Sequence, residues 1–544
     1  MNGASNVLLP IALALPVGML LMCISQYVRS RMPALLALAP VPALAAALLS
    51  IDAPSFALPW FLFKATLHLD VSGAMLLEAA AVLWISAAVY AYYYLRDTPD
   101  AGNFAAWWLT AMVGNIGVFL SADVASFYLF LAIGSIGAYG LIFHNMTPVS
   151  RQAAVVYVGF ALVGEATVLI GFVLLAAVAS TNDLLIHNAV EALPASSWRD
   201  LTLAFLILGF GLKIGLVPLH LWMPLAYTAA PAPGAAVISG IAINAGVIGL
   251  IRFLPFTAAQ PGLGTALIAA GIISTFYGVV IGINRLNPKT VLAYSSVSQM
   301  GVIATLLGVG LATGSNGVTL AAGFYAAHHL LVKGGLFLAT GIVVRSGIRL
   351  WPVLIPATIV GLALAGLPLT GGFVAKAAVK PFIGEGSFAA FAALSSAGTT
   401  VLMLHFINCL TRLQPQTKSE PNPIGLIGPW LVTAFAAITI PWTLLPPAIA
   451  DGALGILSLQ ELWSALWPIL LGTIAAIAWW YRPLKVYLPS RISLAASLDF
   501  ARCAMEICAT LVERAEAILR RWQAADISLL AVATLFILIL ASGH

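Results

Sequence analysis

Apolar residues along the chain come in runs of helix length, separated by short segments that hold most of the charges and turn formers. Runs of about 20 residues match helices that cross a bilayer, not the roughly ten-residue alternating strands of a membrane barrel. The pattern predicts about 16 spans, near 6–27, 33–50, 71–94, 103–120, 124–142, 153–178, 201–222, 232–254, 264–284, 291–313, 319–343, 353–375, 386–409, 427–449, 462–480 and 524–542. The second and fifth are short, and the segment Phe56–Phe63 is too short to span. Val7–Met22 has no charged leader and is followed by Arg29 and Arg31, so it reads as a first span and not as a cleaved signal.

Composition narrows the class further. The 544 residues are 61% hydrophobic and only 8% charged, with a mean hydropathy of +1.03. So few charges cannot cover a water-soluble protein of this size, and so many apolar residues exclude disorder. An all-α polytopic membrane protein remains. Basic loop residues set its orientation: Arg29, Arg31, Arg96, Arg151, Arg285, Lys289, Arg345, Arg349, Arg412, Lys418, Arg482, Lys485 and Arg491 alternate onto one side. The other side holds little beyond Lys64, Arg199, Arg252 and Lys380. The positive-inside rule puts the first set in the cytoplasm. With an even span count both termini face the opposite side. The net charge of +5 is thus a topology signal and no sign of nucleic acid. Cys23, Cys409, Cys503 and Cys508 have no spacing suited to a metal or iron–sulfur site, and no glycine-rich nucleotide motif stands in the required context. No cofactor, metal or catalytic redox centre is expected in this chain.

Near 495–522 the pattern changes. Leu498, Met505, Cys508, Leu511, Ile518 and Trp522 can share one helical face, with Arg502–Glu506 and Glu516–Arg520 paired on the other. This reads as a helix lying at the cytoplasmic interface or as a docking helix for a partner subunit.

Ionisable residues inside apolar runs are costly in hydrocarbon and mark an interior pathway or a paired site. Lys213 lies in 201–222, Lys333 in 319–343 four residues after His329, and Lys376 just after the breaker-rich stretch 366–372. Glu165 is about twelve residues into a 26-residue run, near mid-membrane. Glu78 interrupts 71–94. No acid lies between Asp200 and Glu385, so a carboxylate for these lysines must come from the earlier spans or another subunit. An amine in an apolar, partly wet cavity exchanges protons as a nearby charge moves, which is what a proton relay requires. The competing reading is a lysine that snorkels to an interface, strongest for Lys380 at a helix end. Pro218 follows Lys213 by five residues and Pro368 precedes Lys376, so one helix in each half is interrupted, as in inverted-repeat ion translocators. His220 and His329 titrate near neutrality and suit relay roles, or sit neutral and hydrogen bonded in the bundle. His328 points to another face than His329, and His405 is a weaker candidate. Ser239, Asn244, Ser295, Ser298 and Gln299 can hold channel water, or simply fill helix contacts.

These segments resemble the antiporter-like membrane subunits of respiratory complex I, Mrp-type sodium/proton antiporters and membrane-bound hydrogenases. KIGLVPLHLWMPLAYTAAPAPGAAVISG at 213–240 resembles the family stretch from the seventh-helix lysine to the paired prolines. NPKTVLAYSSVSQMG at 287–301, HHLLVKGGLFLATG at 328–341 and AGLPLTGGFVAK at 365–376 resemble three further family signatures. The similarity is strong over roughly 70–410. It implies a 14-helix antiporter-like core with two inverted five-helix repeats, here 101–255 and 260–410, between N-terminal helices in 1–100 and C-terminal helices in 425–544. It also implies relay roles for Lys213, Lys333 and Lys376, with His220 and His329 beside them.

Two positions depart from the family pattern. The fifth-helix glutamate is replaced by Ala132, in FYLFLAIGS at 127–135, and the eighth-helix histidine and lysine by Ser239 and Asn244. Glu165 either supplies the missing carboxylate to Lys213, or meets another polar partner such as span three with Glu78, or has no function. The resemblance implies a proton-conducting subunit of a multi-subunit bacterial inner-membrane complex, coupled to a redox or solute-uptake partner and contacting other membrane subunits, a peripheral catalytic subunit and lipid. The alternatives are a sodium-moving Mrp-type subunit, the membrane subunit of a two-component inorganic-carbon uptake system, and a structural anchor with a disabled channel.

The expected topology is directly measurable. Reporter fusions after Arg96, Arg151, Lys289 and Arg412 should report cytoplasm, and fusions near Asp183 and Asp451 the opposite side. Fusions at Lys289 and Asp183 reporting one side would contradict it.

Overall fold

Each long apolar run folds into a helix because its backbone groups have no other partners in hydrocarbon. In the computed structural model, residues 2–59, 65–96, 98, 100–178, 184–346, 351–383, 386, 388–413, 424–444 and 457–481 are described. They belong to one unit, Met1–Val486. The amphipathic stretch near 495–522, the run 524–542, Cys503, Cys508 and the loop residues Lys64, Asp183, Lys418 and Asp451 lie outside the described residues.

The order is α1 (Asn2–Met22), α2 (Gln26–Arg31), α3 (Val41–Leu49), β1 (Phe56–Leu58), β2 (Ala65–Leu67), α4 (Val71–Tyr94), α5 (Ala101–Leu120), α6 (Val124–Phe143), α7 (Pro148–Val178) and α8 (Ile186–Ala192). There follow α9 (Arg199–Ile214), α10 (Trp222–Ala229), α11 (Ala232–Val237), α12 (Asn244–Phe253), α13 (Pro261–Gly282), α14 (Pro288–Thr313) and α15 (Gly317–Ser346). The last are α16 (Trp351–Ala365), α17 (Gly371–Ile383), α18 (Phe388–Thr411), α19 (Ile424–Thr443) and α20 (Leu459–Tyr481). Among the described residues 11 helices are long and apolar enough to cross a membrane, or 12 if one bent pair counts as a span.

Three local features differ from the run-length expectation. The first run turns by 115° between Val7–Met22 and Gln26–Ala34, because the chain leaves the helix at Cys23–Ser25. The second, 33–50, is cut by Pro33, Pro40 and Pro42 into two 3₁₀ turns and the nine-residue α3. The segment after Ile51 forms the antiparallel hairpin β1–β2, with Phe56 opposite Leu67, so the described fold is helical apart from this ribbon.

α15 is the hub. Packed against it are α4, α14, α16, α17 and α19, and nearly all of its residues are buried. Close approach there needs glycine: a Cβ on Gly240 would come within 2.9 Å of the Leu330 carbonyl. The helix starts are capped. Asp70 accepts from Gly73 N at the head of α4, Asp123 from Ser126 N at the head of α6, and Asn287 from Lys289 N ahead of Pro288 in α14.

Arg252, at the end of α12, ties three elements together. Its guanidinium donates to Asp70 Oδ1 at 2.9 Å and Oδ2 at 3.0 Å, and to the carbonyls of Val118, Phe119 and Ser121 at the end of α5. A planar fork donating to a carboxylate and three helix-terminal carbonyls is a site that lysine cannot reproduce. Burial alone would raise the Asp70 carboxyl, but the attraction and hydrogen bonds of Arg252 and the Gly73 N–H outweigh it and hold the group below its ordinary range. A depressed carboxylate stabilises the fold above its unfolded pKa, and that stability is lost as pH falls through the folded value. Arg252→Ala should therefore cost about 2–4 kcal/mol at neutral pH, read as a lower melting temperature of the purified protein, with Arg252→Lys only partly restoring it. The melting difference between Asp70→Asn and wild type should shrink as pH falls below about 4.

Candidate functional site

The site begins where two helices break. α9 ends at Gly215, whose φ of 71° is a left-handed cap, and the chain resumes as α10 at Trp222 after a turn that contains Pro218 and His220. The break exposes the Leu212 carbonyl, which accepts from Trp222 Nε1 at 3.1 Å. The second break separates α16 from α17, with Gly366 at φ 97° and Leu369 at φ 66°. Here the freed Ala365 carbonyl accepts from Lys376 Nζ at 2.8 Å, and Ser396 Oγ lies 2.5 Å from the same amine. Each break thus leaves backbone polar groups at depth beside a lysine, and side chains satisfy them.

Lys213 sits one turn before the first break. Its Nζ is 3.6 Å from Glu165 Oε1 on α7, and the side chains are only 13% and 11% exposed. Between them lies the Ser135 hydroxyl of α6, which accepts from Lys213 Nζ and donates to Glu165 Oε1. Ser135 is three residues past Ala132 on the same helix, hence on the same face. The buried charge pair is therefore closed by a hydroxyl from the helix whose family carboxylate is missing. Ser135 carries no distinctive signal in the sequence, because a lone serine in an apolar helix equally fills a contact.

From Lys213 the path leads through α12. Gly246 packs on the Lys213 stem, and a cavity of about 10 Å³ lined by Lys213, Asn115, Ala242 and Ala245 has room for about one water. One wide π-type turn, Ile238–Ala242, precedes α12, and such turns concentrate at functional sites. Ser239 and Asn244 flank it, both fully buried. Asn244 Nδ2 donates to Gly240 O at 2.5 Å, while its Oδ1 meets no protein donor. This turn packs on α15.

On α15, Lys333 is fully buried, and its amine donates to the Leu292 carbonyl of α14 at 3.0 Å. One turn earlier, His329 faces Lys333, and neither ring nitrogen has a protein hydrogen-bond partner. His328 points the other way, toward α17: a Cβ on Gly372 would meet its Cε1 at 2.9 Å, and Lys376 lies within its electrostatic reach. Lys333, His329, His328 and Lys376 thus run from the middle of the bundle to the second break. A further turn back, Tyr325 Oη donates to Gln299 Oε1 at 2.5 Å, and Gln299 Nε2 to Thr399 Oγ1 at 2.9 Å. Tyr325, like Ser135, was not legible as a site residue, since a single tyrosine in an apolar run reads as core.

The remaining candidates are more peripheral. His220 is buried with its ring edge-on to Tyr277, centroids 4.8 Å apart. Ser298 is buried where α13 packs on α14. His405 Nε2 is 2.7 Å from the Arg285 carbonyl and 3.5 Å from Cys409 Sγ, near the basic end of α18. Among the described residues no cluster of three His, Cys, Asp or Glu could hold a metal ion.

Residues 121–402 match the family described as NADH:quinone oxidoreductase/Mrp antiporter, TM, and these are more than half of the chain. Hydrogenase-4 component B of Escherichia coli K12 is 27% identical over 346 residues, which are 59% of this chain and 51% of that protein. NADH-quinone oxidoreductase subunit N of Desulforudis audaxviator is 32% identical over 345 residues, 58% of this chain and 66% of that one. The chain thus spans between half and two thirds of these relatives' lengths. In structure it is similar to a chain of the Mrp complex from Dietzia sp. DQ12-45-1b, with a TM-score of 0.68 at 19% identity, covering 91% of this chain and 99% of that one. The matched segment takes in the first helix break, the Glu165–Ser135–Lys213 contact, Lys333 and Lys376, and the chain belongs to the NADH:quinone oxidoreductase/Mrp antiporter family of polytopic membrane proteins.

Proposed function

We propose that this chain is a proton-conducting transmembrane subunit of a multi-subunit complex in the bacterial inner membrane. The observation that carries this reading is the buried Glu165–Ser135–Lys213 contact, at the head of a line of amines and imidazoles through the bundle. Charges are kept in apolar helices where they act, and the desolvation they suffer makes them poor structural cement. Glu165 takes the part of the carboxylate missing at Ala132. At 3.6 Å and an effective dielectric of about 20, its attraction for the ammonium is on the order of 4 kcal/mol. Movement of Glu165 or its serine bridge removes that attraction and frees the proton of Lys213 to move toward α12. Asn244 and water pass it to Lys333, and His329 and His328 carry it on to Lys376.

The two helix breaks, one in each of 101–255 and 260–410, support the reading of two inverted five-helix repeats. Adding α1, α3, the two interrupted pairs and the run 524–542 to the long helices gives the sixteen spans read from the sequence. The described chain offers a proton path and supplies no reaction, so the driving chemistry belongs to a partner, a redox module or a solute-uptake protein. Relatives and fold neighbours named for complex I, hydrogenase and Mrp antiporters place sodium among the cations to be tested.

In vesicles containing the assembled complex, Lys213→Ala and Lys333→Ala should each abolish most proton movement without preventing assembly. Near wild-type flux at matched expression would remove that lysine from the path. Glu165→Gln should lower flux severely, and adding Ala132→Glu should restore part of it, because the new carboxylate shares a helix face with Ser135. His329→Gln keeps a hydrogen-bonding side chain but cannot take up a proton. It should assemble and conduct slowly with an altered pH profile; an unchanged rate and profile would make His329 structural. Flux that requires sodium on the opposite side would assign the chain to exchange and not to proton conduction alone.

A further inference from the structure

Beside Lys376 the fold encloses a cavity of about 270 Å³ between α15, α17, α18 and α20. At about 30 Å³ per molecule this holds roughly nine waters. Lys376 and Ser396 stand at its inner end, with Tyr325 in its wall. Across it runs an ion pair: Lys380 Nζ donates to Glu461 Oε1 at 2.6 Å and Oε2 at 2.7 Å. Lys380 follows Lys376 by one turn, so both amines share a face of α17, with Cβ atoms about 6 Å apart. Glu461 lies in the first turn of α20, outside the segment that matches the family, and Ser464 Oγ donates to its Oε2 at 3.3 Å. The side chains of Lys380 and Glu461 are 40% and 31% exposed, so the pair stands at the mouth while Lys376 lies deeper. The loop topology puts this mouth on the non-cytoplasmic side.

We propose that the Lys380–Glu461 pair is a charge gate on a hydrated vestibule through which Lys376 delivers protons to the outer aqueous phase, with Glu461 as the last protein acceptor. This rests on the proton-conducting reading above. The Lys376 ammonium releases a proton to vestibule water, and the Glu461 carboxylate takes one from the same water. The neutral acid no longer holds Lys380, and the mouth opens. Glu461 then loses its proton to the outer phase and the ion pair re-forms, leaving every group in its starting state. A purely mechanical strut is a weaker explanation, since partly exposed ion pairs add only about 0–1 kcal/mol of stability. A strut also gives no reason for placing the sole carboxylate of the cavity lining opposite two amines.

The test uses the full chain in its complex, in vesicles, with Cys23, Cys409, Cys503 and Cys508 changed to serine and Ala392→Cys placed in the vestibule wall. A membrane-impermeant cationic thiol reagent on the outer side should label that cysteine, faster in Lys380→Met than with the pair intact. Proton flux should fall about tenfold or more in Glu461→Gln, which lacks the acceptor, and should not fall in Lys380→Met, which lacks only the latch. A strut predicts equal effects of the two substitutions, because each breaks the same pair. Equal loss of flux, no outer-side labelling, or labelling unaffected by Lys380→Met overturns the gate. Absence of flux in the unsubstituted complex overturns the conduction reading itself, a result distinct from these three.

Discussion

An ammonium group in hydrocarbon must find polar partners, and between Asp200 and Glu385 this chain supplies no acid to meet it. Much of the architecture of the bundle answers that constraint. Lys213 is met by a carboxylate and a hydroxyl from two earlier helices, Lys333 by a carbonyl of α14, and Lys376 by a carbonyl released at a helix break together with a serine. Only the first of these partners carries a full charge. The three lysines are therefore chemically unequal, and the inequality orders them: an ion-paired group at one end of the path, and amines held by neutral dipoles further along.

The helix breaks and the glycine contacts are parts of the same solution. A continuous helix keeps its carbonyls to itself, whereas the gap at 366–370 turns one toward Lys376. Gly240 lets the π-type turn ahead of α12 lie directly on α15, which brings Asn244 and Ser239 between the Lys213 region and the Lys333 helix without any bulky side chain intervening. Arg252 closes the outer end of this assembly by fastening α12 to the head of α4 and the tail of α5. Stability sits at that end and polar adaptability in the middle, as a conducting bundle requires.

Much of this is legible in the sequence for a physical reason. The bilayer fixes the length of an apolar run, so α4 to α7 and α13 to α15 fall where the runs place them. Proline and glycine mark the two breaks because they remove a donor or permit positive φ. The first 60 residues are less legible, since closely spaced prolines leave run length unchanged while cutting the helix. Facing direction is the harder quantity. The depth of Glu165 follows from counting residues, but whether it looks toward Lys213, Glu78 or lipid depends on how α7 packs on α6 and α9, which no local pattern encodes. Ser135 and Glu461 go unmarked for related reasons: one is an ordinary small residue, and the other meets its partner 81 positions away.

The central claim is that Glu165 changes its bonding as protons move. Infrared difference spectroscopy on vesicles of the purified complex, with and without an imposed proton gradient, reads this directly. The expected result is a carboxyl band that responds to the gradient, vanishes in Glu165→Gln and shifts in Ser135→Ala, where the bridging hydroxyl is lost. A spectrum in which the gradient-sensitive bands are the same in Glu165→Gln as in the unsubstituted protein would contradict it.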